Sequence, residues 1–501
     1  MTVPGARLAR YGGLAGALLL AVAGYLGGAL PGTATVRVWH SGDGPLTVAL
    51  WLLGTAAMVA AWWSLRDGAP STRWAYVTAG SWTLPLLLTA PLGSRDVYSY
   101  ACQGWVYADG GDPYATGAAA AGCPWVEAVA PVWRDTPAPY GPFFVLLAAL
   151  AVLLGGGLVG AVVLLRSLAV AGLLLVACCL PGLARAAGTP TRRVTWLVLA
   201  CPLVGVHLVA GAHNDAVMLG LLLLGLLLLV RRPVAPVGSA GPGPVATVGV
   251  LLAAGVLLGL AVSVKATAVV VLPFVALVAV RGRLTVPALL RDGGTLAGGV
   301  LGGLVASSLL SGLGLGWLGG LDRSGDTEQW TSPPTAVGMV VDYAGELVGR
   351  QPGAVPVARV VGLVVLAGLL AMLWWRTWSA VRGRYGSVES GRTRLTLLGA
   401  GLALALTVAL APVFHPWYAT WPLVLLAVTA TRTAWFVVPG AVAAFLALPD
   451  GTNLARLAKA PGAVAMTVLV IAVAVWAQPR LRRQLRRHPP SSGRAPTTNR
   501  P

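Results

Sequence analysis

The sequence predicts an all-α chain that crosses a lipid bilayer many times. Three observations carry this. Of the 501 residues, 57% are Ala, Val, Ile, Leu, Met, Phe, Trp, Tyr or Cys. Only 10% are charged, where soluble domains carry about 25%. Apolar runs of roughly 20 residues, the length that spans a hydrocarbon core, recur from end to end. Together these exclude a soluble globular enzyme, a disordered chain and a disulfide framework.

Apolar segments run over residues 11–31, 46–65, 74–92, 143–158, 160–184, 194–210, 216–230, 246–263, 267–280, 294–312, 357–375, 395–411, 416–431, 433–448 and 462–477. Backbone in hydrocarbon must satisfy its own hydrogen bonds, so each segment is expected to be helical. The first follows Arg7 and Arg10 and is too long for a cleaved leader, so it reads as an uncleaved anchor. The expectation is about 13–15 transmembrane helices over residues 1–478, with two long outer loops, 93–142 and 313–356, and a basic disordered cytoplasmic tail, 479–501.

Orientation follows from Lys and Arg, which collect on the cytoplasmic side. The net charge of +19 therefore marks topology, not a nucleic-acid partner. With the N-terminus inside, Arg66, Arg73, Arg185, Arg192, Arg193, Arg281, Arg283 and Arg291 are cytoplasmic, as are two basic blocks, Arg376 to Arg394 and Arg480 to Arg500. The tail is expected to lie on anionic lipid. The acids fall mostly outside. The rule does not govern acids, so an outward-facing polar site would account for them. Parity requires residues 143–184 to cross an odd number of times. One of the two segments flanking Gly155, Gly156 and Gly157 must then be re-entrant or half-membrane.

The first outer loop carries the densest polar and aromatic chemistry. Arg95 and Asp96 stand where the third apolar segment ends. Tyr98, Tyr100, Gln103 and Trp105 have the spacing of an amphipathic helix lying along the surface. Asp112-Pro113-Tyr114 turns the chain, and Trp133, Arg134 and Tyr140 return it. A carboxylate at a membrane exit, ringed by aromatics, suits removal of a proton from a sugar hydroxyl that attacks an anomeric carbon. The alternatives are that Asp96 caps a helix or pairs with Arg95.

The runs RDVYSYACQG, DPY and WRDTPAPYGP in this loop, with GAHNDAVMLG at 211–220, KATAVVVLPF at 265–274 and HPWYATWPL at 415–423, resemble the polyprenol-phosphate-mannose-dependent alpha-1,6-mannosyltransferases of actinobacterial envelopes. The 33 Arg against 2 Lys fit the GC-rich genomes of that group. The resemblance implies a GT-C glycosyltransferase fold and a lipid-linked sugar donor. It also implies a mannan or lipomannan-type acceptor, and Asp96 as the base of an inverting displacement. A related transferase using polyprenyl-phosphate arabinofuranose or glucose is an alternative within enzymes. A lipid-linked sugar flippase is the alternative outside them, and it would place Asp215 and Lys265 at mid-membrane. No internal repeat points to such a transporter.

Outside the loop, His213, Asn214 and Asp215 lie between two apolar segments on the same outer face, either to orient the base and bind hydroxyls or to begin a helix. Lys265, one of two lysines, and His415 are candidates for the leaving phosphate. The alternatives are snorkelling for Lys265 and an interfacial aromatic belt for His415 with Trp417 and Tyr418. Asp322, Asp326, Glu328, Trp330, Asp342 and Glu346 form an acidic-aromatic set in the second outer loop, either an acceptor groove or a solvated face. No metal-ligand spacing appears, so no cofactor and no catalytic divalent metal are expected. No Walker loop or dinucleotide fingerprint appears either. Cys178, Cys179 and Cys201 read as core residues. Cys102 and Cys123 share the first outer loop, and their pairing stays open.

Overall fold

The computed structural model describes residues 3–34, 37–232, 244–323, 327–383 and 389–486. All fifteen apolar segments are helical. In chain order the helices are α1 (Val3–Gly27), α2 (Gly44–Ser64), α3 (Thr72–Leu88), α4 (Asp96–Ala108), α5 (Pro142–Gly155), α6 (Leu158–Ala186), α7 (Thr191–Leu199), α8 (Asp215–Arg231) and α9 (Pro244–Val264). They continue with α10 (Leu272–Ala279), α11 (Val286–Ser311), α12 (Trp317–Arg323), α13 (Pro333–Glu346), α14 (Ala354–Arg382), α15 (Glu389–Leu410), α16 (Thr420–Thr429), α17 (Ala434–Ala444) and α18 (Lys459–Arg486).

This is a polytopic membrane protein. Eight of the described helices are long and apolar enough to cross a bilayer. The count is nine if α7 and the π-helical turn Val204–Ala210, bent by 61°, form one broken span. That is fewer than the 13–15 expected. The shortfall lies in segments that are helical but short or interrupted. α3 and α8 have 17 residues each, α5 14, α17 11 and α16 10. Proline lies inside α3 at Pro85 and inside α17 at Pro439. α10 and α16 follow 3-10 turns, Ala266–Val271 and Pro416–Ala419. Such breaks survive at membrane depth only when protein covers them, and α16 is buried along its whole length. α14 and α18 instead present rows of bare apolar side chains, among them Val360, Val364, Val468 and Ile471. Contiguous exposure of this kind needs a lipid cover.

Close approach of helices rests on glycine. A Cβ on Gly255 of α9 would lie 2.3 Å from the Leu296 carbonyl of α11, and one on Gly299 would lie 2.4 Å from that of Leu252. Without a hydrophobic force between helices in lipid, such small-residue contact is what holds them.

Long-range bonds sort the connections into two ends. At one end Arg192 donates to the Ala69 carbonyl, Thr189 to that of Val428 and Arg394 to that of Thr429. At the other, Arg95 donates to Leu30, Val38 N–H to Asp450, Phe143 N–H to Ser263 and Trp330 to Ala455. These are the two sets of connections that the Lys/Arg pattern separates. The parity problem resolves at Gly156, whose left-handed φ of 63° turns α5 sharply into α6. Arg166 of α6 donates to the carbonyls of Leu87, Thr89 and Ala210 at the outer-assigned end. α6 therefore makes the crossing, and α5 stays at that end.

Two expectations about the loops change. α4 does not lie along an open surface: Val97 to Cys102, Gly104 and Val106 are buried, and α4 packs on α5. A Cβ on its Gly104 would lie 2.5 Å from the Ala148 backbone. At the C-terminus, where a disordered tail from 479 is expected, α18 continues to Arg486; residues 487–501 of that tail lie outside the described residues.

Candidate active site

Asp96 opens α4 as its first helical residue. Its backbone N–H donates to Ser94 Oγ at 3.1 Å. Neither structural alternative holds for its carboxylate. The Arg95 guanidinium points away, donating to the carbonyls of Leu30 (2.8 Å) and Ala128 (3.4 Å) and to Thr33 Oγ1 (2.7 Å). The helix start has no side-chain cap. The carboxylate, 15% exposed, instead borders two cavities. The larger, about 490 Å³, lies between Ala34, Arg37 and Trp39, the Gly93–Asp96 turn, Trp133 and the segment Ala447–Leu457. The smaller, about 60 Å³, runs past Ser99, Gln103, Tyr140, Lys265 and Tyr418. Asp96, Trp133, His415 and Trp417 line both.

The first volume is within the range of about 300–1,000 Å³ typical of small-molecule sites. The second has room for only a few waters or a single substituent.

Beneath Asp96 lies a buried polar layer. His213 Nδ1 is 3.7 Å from Asp96 Oδ2 and 3.8 Å from Asp215 Oδ2. Burial, reinforced by the charge of Lys265, pushes the His213 imidazole well below its usual range, so it is a neutral spacer between two carboxylates. Burial also raises the Asp96 carboxyl from 3.8 to about 6, against the lowering effects of Lys265 and Ser94. Asp215, fully buried at the start of α8, accepts two bonds from Lys265 Nζ at 2.9 Å and a third from the Trp421 indole. The ammonium expected to face a phosphate is therefore already compensated. Asn214 precedes α8 without a side-chain capping bond; its Oδ1 accepts from Tyr100 at 3.5 Å. Ala212 holds a φ of 53°, the one positive value outside glycine among the described residues. That costs about 1–2 kcal/mol and follows the π-helical turn Val204–Ala210. Irregular backbone of both kinds gathers at functional sites.

Aromatic rings wall the junction. Trp417 lies tilted against His213 (4.1 Å between centroids) and stacks on His415 (4.6 Å), and Tyr418 stacks on Trp421 (4.1 Å). Lys265 Nζ sits 5.2–5.8 Å from the rings of Tyr140, Tyr418 and Trp421. Such rings bind the apolar faces of sugars, and polar groups beside them fix orientation.

The structure thus brings Asp96, Gln103, Trp133, Tyr140, Lys265, His415, Trp417 and Tyr418 onto cavity walls, with Tyr100, His213, Asn214 and Asp215 directly behind. It gives the other expected residues structural partners. Tyr98 donates to the Ala29 carbonyl at 2.6 Å. Asp112 accepts the Tyr114 N–H in the turn, and Tyr114 donates to the Tyr140 carbonyl at 2.8 Å. Arg134 pairs with Glu127 at 3.0 Å. Arg95 borders the larger cavity but donates to Leu30 and Thr33 between α1 and α2 and to Ala128 in the first loop. In the second outer loop, Asp342 accepts the Ala354 N–H and Glu328 faces Lys459 at 3.8 Å. Asp326 lies outside the described residues. Gln329, not an acid, reaches the cavity. Among the described residues no three His, Cys, Asp or Glu side chains converge as metal ligands.

Sequence reading missed one wall altogether. Arg37, Trp39, Asp450, Asn453 and Arg456 line the larger cavity, and His207 packs on Trp417 and His213. The available signal was that the Lys/Arg pattern puts the 32–45 and 449–461 connections on the same side as Asp96, and that both carry polar residues.

The site is that of a membrane-embedded protein with a single accessible carboxylate between two cavities, at one end of a helical bundle. The chain matches the family described as alpha-(1->6)-mannopyranosyltransferase, N-terminal domain, over residues 10–281, and the MptB C-terminal domain over residues 334–476. It belongs to the alpha-(1->6)-mannopyranosyltransferase family. An alpha-(1->6)-mannopyranosyltransferase of Mycobacterium tuberculosis is 32% identical over 71% of this chain and 65% of its own length. A probable alpha-(1->6)-mannopyranosyltransferase of Mycolicibacterium smegmatis is 33% identical over 78% of this chain and 72% of its own. Alpha-(1->6)-mannopyranosyltransferase A of Mycobacterium tuberculosis is 32% identical over 74% and 69%. The match therefore spans about two thirds of the length of these relatives. No solved structure matches the chain.

Proposed function

We propose that this protein is a GT-C mannosyltransferase of the plasma membrane, working at its extracytoplasmic face. It takes mannose from polyprenyl-phosphate mannose and adds it in alpha-1,6 linkage to a mannan or lipomannan-type glycan. The observation that carries this reading is the position of Asp96: one carboxylate, partly exposed, where a hexose-sized cavity meets a narrow one. The names of the relatives supply the sugar and the linkage. The Cys102–Cys123 disulfide supports an oxidising compartment for the loop that holds Asp96.

In one displacement the acceptor oxygen bonds to C1 and its proton passes to Asp96. The C1–O bond to phosphate breaks, and the electron pair leaves with the phosphate. A beta-linked donor then gives an alpha product. One carboxylate suffices, unlike the paired acids of a glycosidase. Trp133, Trp417 and Tyr418 hold the sugar, while neutral His213 and the Lys265–Asp215 pair fix the floor beneath the base. No divalent metal takes part, so chelation with EDTA leaves the rate unchanged.

The flippase alternative needs charges inside the bilayer. Asp215 begins α8 and Lys265 follows the end of α9, both beside Asp96, which favours the enzyme. The test is Asp96→Asn in purified membranes with labelled polyprenyl-phosphate mannose and a short mannoside. Transfer should be abolished with the protein still inserted and folded. Retained transfer, or a product lacking the 1,6 linkage, overturns the reading. Parallel incubation with polyprenyl-phosphate arabinofuranose or glucose decides the donor sugar.

A further inference from the structure

We infer that Arg37 and Arg456 form the subsite for the phosphate of the lipid-linked donor, in the larger cavity, and that Lys265 does not. This rests on the proposed transferase reading and deepens it.

The argument is one of charge left uncompensated. Three cations and two acids line the larger cavity. Arg95 is committed to Leu30, Ala128 and Thr33. Asp450 accepts from the N–H groups of Val38 and Thr452 and from the Thr452 hydroxyl, all within 3.0 Å. Its carboxylate thereby ties the two segments bearing Arg37 and Arg456 together instead of pairing with either. Among the described residues neither Arg37 nor Arg456 meets an acceptor; both are exposed, and Arg37 lies over the Trp39 ring at 5.7 Å. Arg456 is near enough to His415 for its charge to act on that imidazole. Lys265 differs in the point that matters, since the buried Asp215 carboxylate already neutralises it.

The chemistry asks for such a pair. The donor is a phosphodiester with one negative charge, and the leaving polyprenyl phosphate gains a second as C1–O breaks. Guanidinium forks match phosphate oxygens. Cations set where charge develops stabilise the transition state more than the ground state. The cavity's 490 Å³ accommodates a sugar phosphate, whereas the 60 Å³ space beside Lys265 takes the incoming hydroxyl arm of the acceptor.

The experiment uses the full chain in lipid nanodiscs. Arg37→Gln with Arg456→Gln should raise the donor KM by about tenfold or more and lower kcat, with the acceptor KM within about twofold. Replacing both by Lys should recover part of the loss. A second arm needs no turnover: binding of a short-chain polyprenyl phosphate is compared with that of the same polyprenol. The wild type should prefer the phosphate and the double Gln variant should not. Inorganic phosphate should compete only at far higher concentration. An unchanged donor KM, or an unchanged preference in the double variant, overturns the inference. So does displacement by inorganic phosphate at equal concentration, which would make the pair a free-anion site. If the wild type transfers no mannose yet binds the lipid phosphate through these arginines, the transferase reading fails and the subsite stands.

Discussion

Lys265 Nζ lies 2.9 Å from each carboxylate oxygen of Asp215, with Asp215 fully buried and Lys265 11% exposed. Breaking a pair so placed leaves one uncompensated charge. Lys265→Met alone, or Asp215→Leu alone, should lower unfolding stability by about 3–5 kcal/mol, and the double change by much less. Thermal unfolding in detergent reads this. Additive losses would show that the pair does not act as a unit.

A base must be ionised to accept a proton. Burial raises the Asp96 carboxyl to about 6, so its ionised fraction grows as pH rises through that value. Transfer should climb between pH 5 and 7, reach about a tenth of its plateau at pH 5, and stay flat above 7. A rate independent of pH below 6 would remove Asp96 from the proton step.

Cys102 and Cys123, 21 positions apart, are bonded and tie α4 to the irregular part of the first loop. Replacing both with Ser frees a loop of that length in the unfolded chain and should cost roughly 3 kcal/mol. The loss should appear in thermal unfolding and be matched by reducing the wild type. No shift on reduction would mean that the bond contributes nothing.

Gly141 follows Tyr140 where the first loop rejoins the bundle. A Cβ there would lie 2.3 Å from the Ser263 carbonyl of α9, beside the 3.0 Å bond from Phe143 N–H to Ser263 Oγ. Gly141→Ala should push the loop off α9, lowering stability by about 1–3 kcal/mol and shifting Tyr140 from the smaller cavity. Transfer assays beside unfolding curves separate the two effects. Wild-type values in both would contradict the contact.

Much of the architecture is legible along the chain because hydrocarbon leaves the backbone one solution. Each apolar segment becomes helix, and the arginines sort the connections into two sides that the tertiary bonds reproduce. Asp96 is legible too, as an acid at the end of an apolar segment amid aromatics. Spacing alone could not separate Tyr98 from Trp133. Both look like sugar-binding aromatics, yet one hydroxyl bonds Ala29 and the other ring lines both cavities. It gave no hint that α4 would be packed against α5, since amphipathic spacing suits a buried helix edge as well as a membrane surface. Nor could length by itself count the spans, since a short helix covered by its neighbours needs no hydrophobic length of its own.

The sequence by itself determined that the chain lies in a membrane, which segments are helical, which connections share a face, and that one acid stands out on one of those faces. Only the tertiary structure decided that Lys265 belongs to Asp215, fifty positions away, and that Arg37, Trp39 and the segment Ala447–Leu457 close one cavity with Asp96. Composition and periodicity report what each segment requires of its solvent. Pairing of charges and enclosure of space depend on where distant segments meet, and that is set by packing.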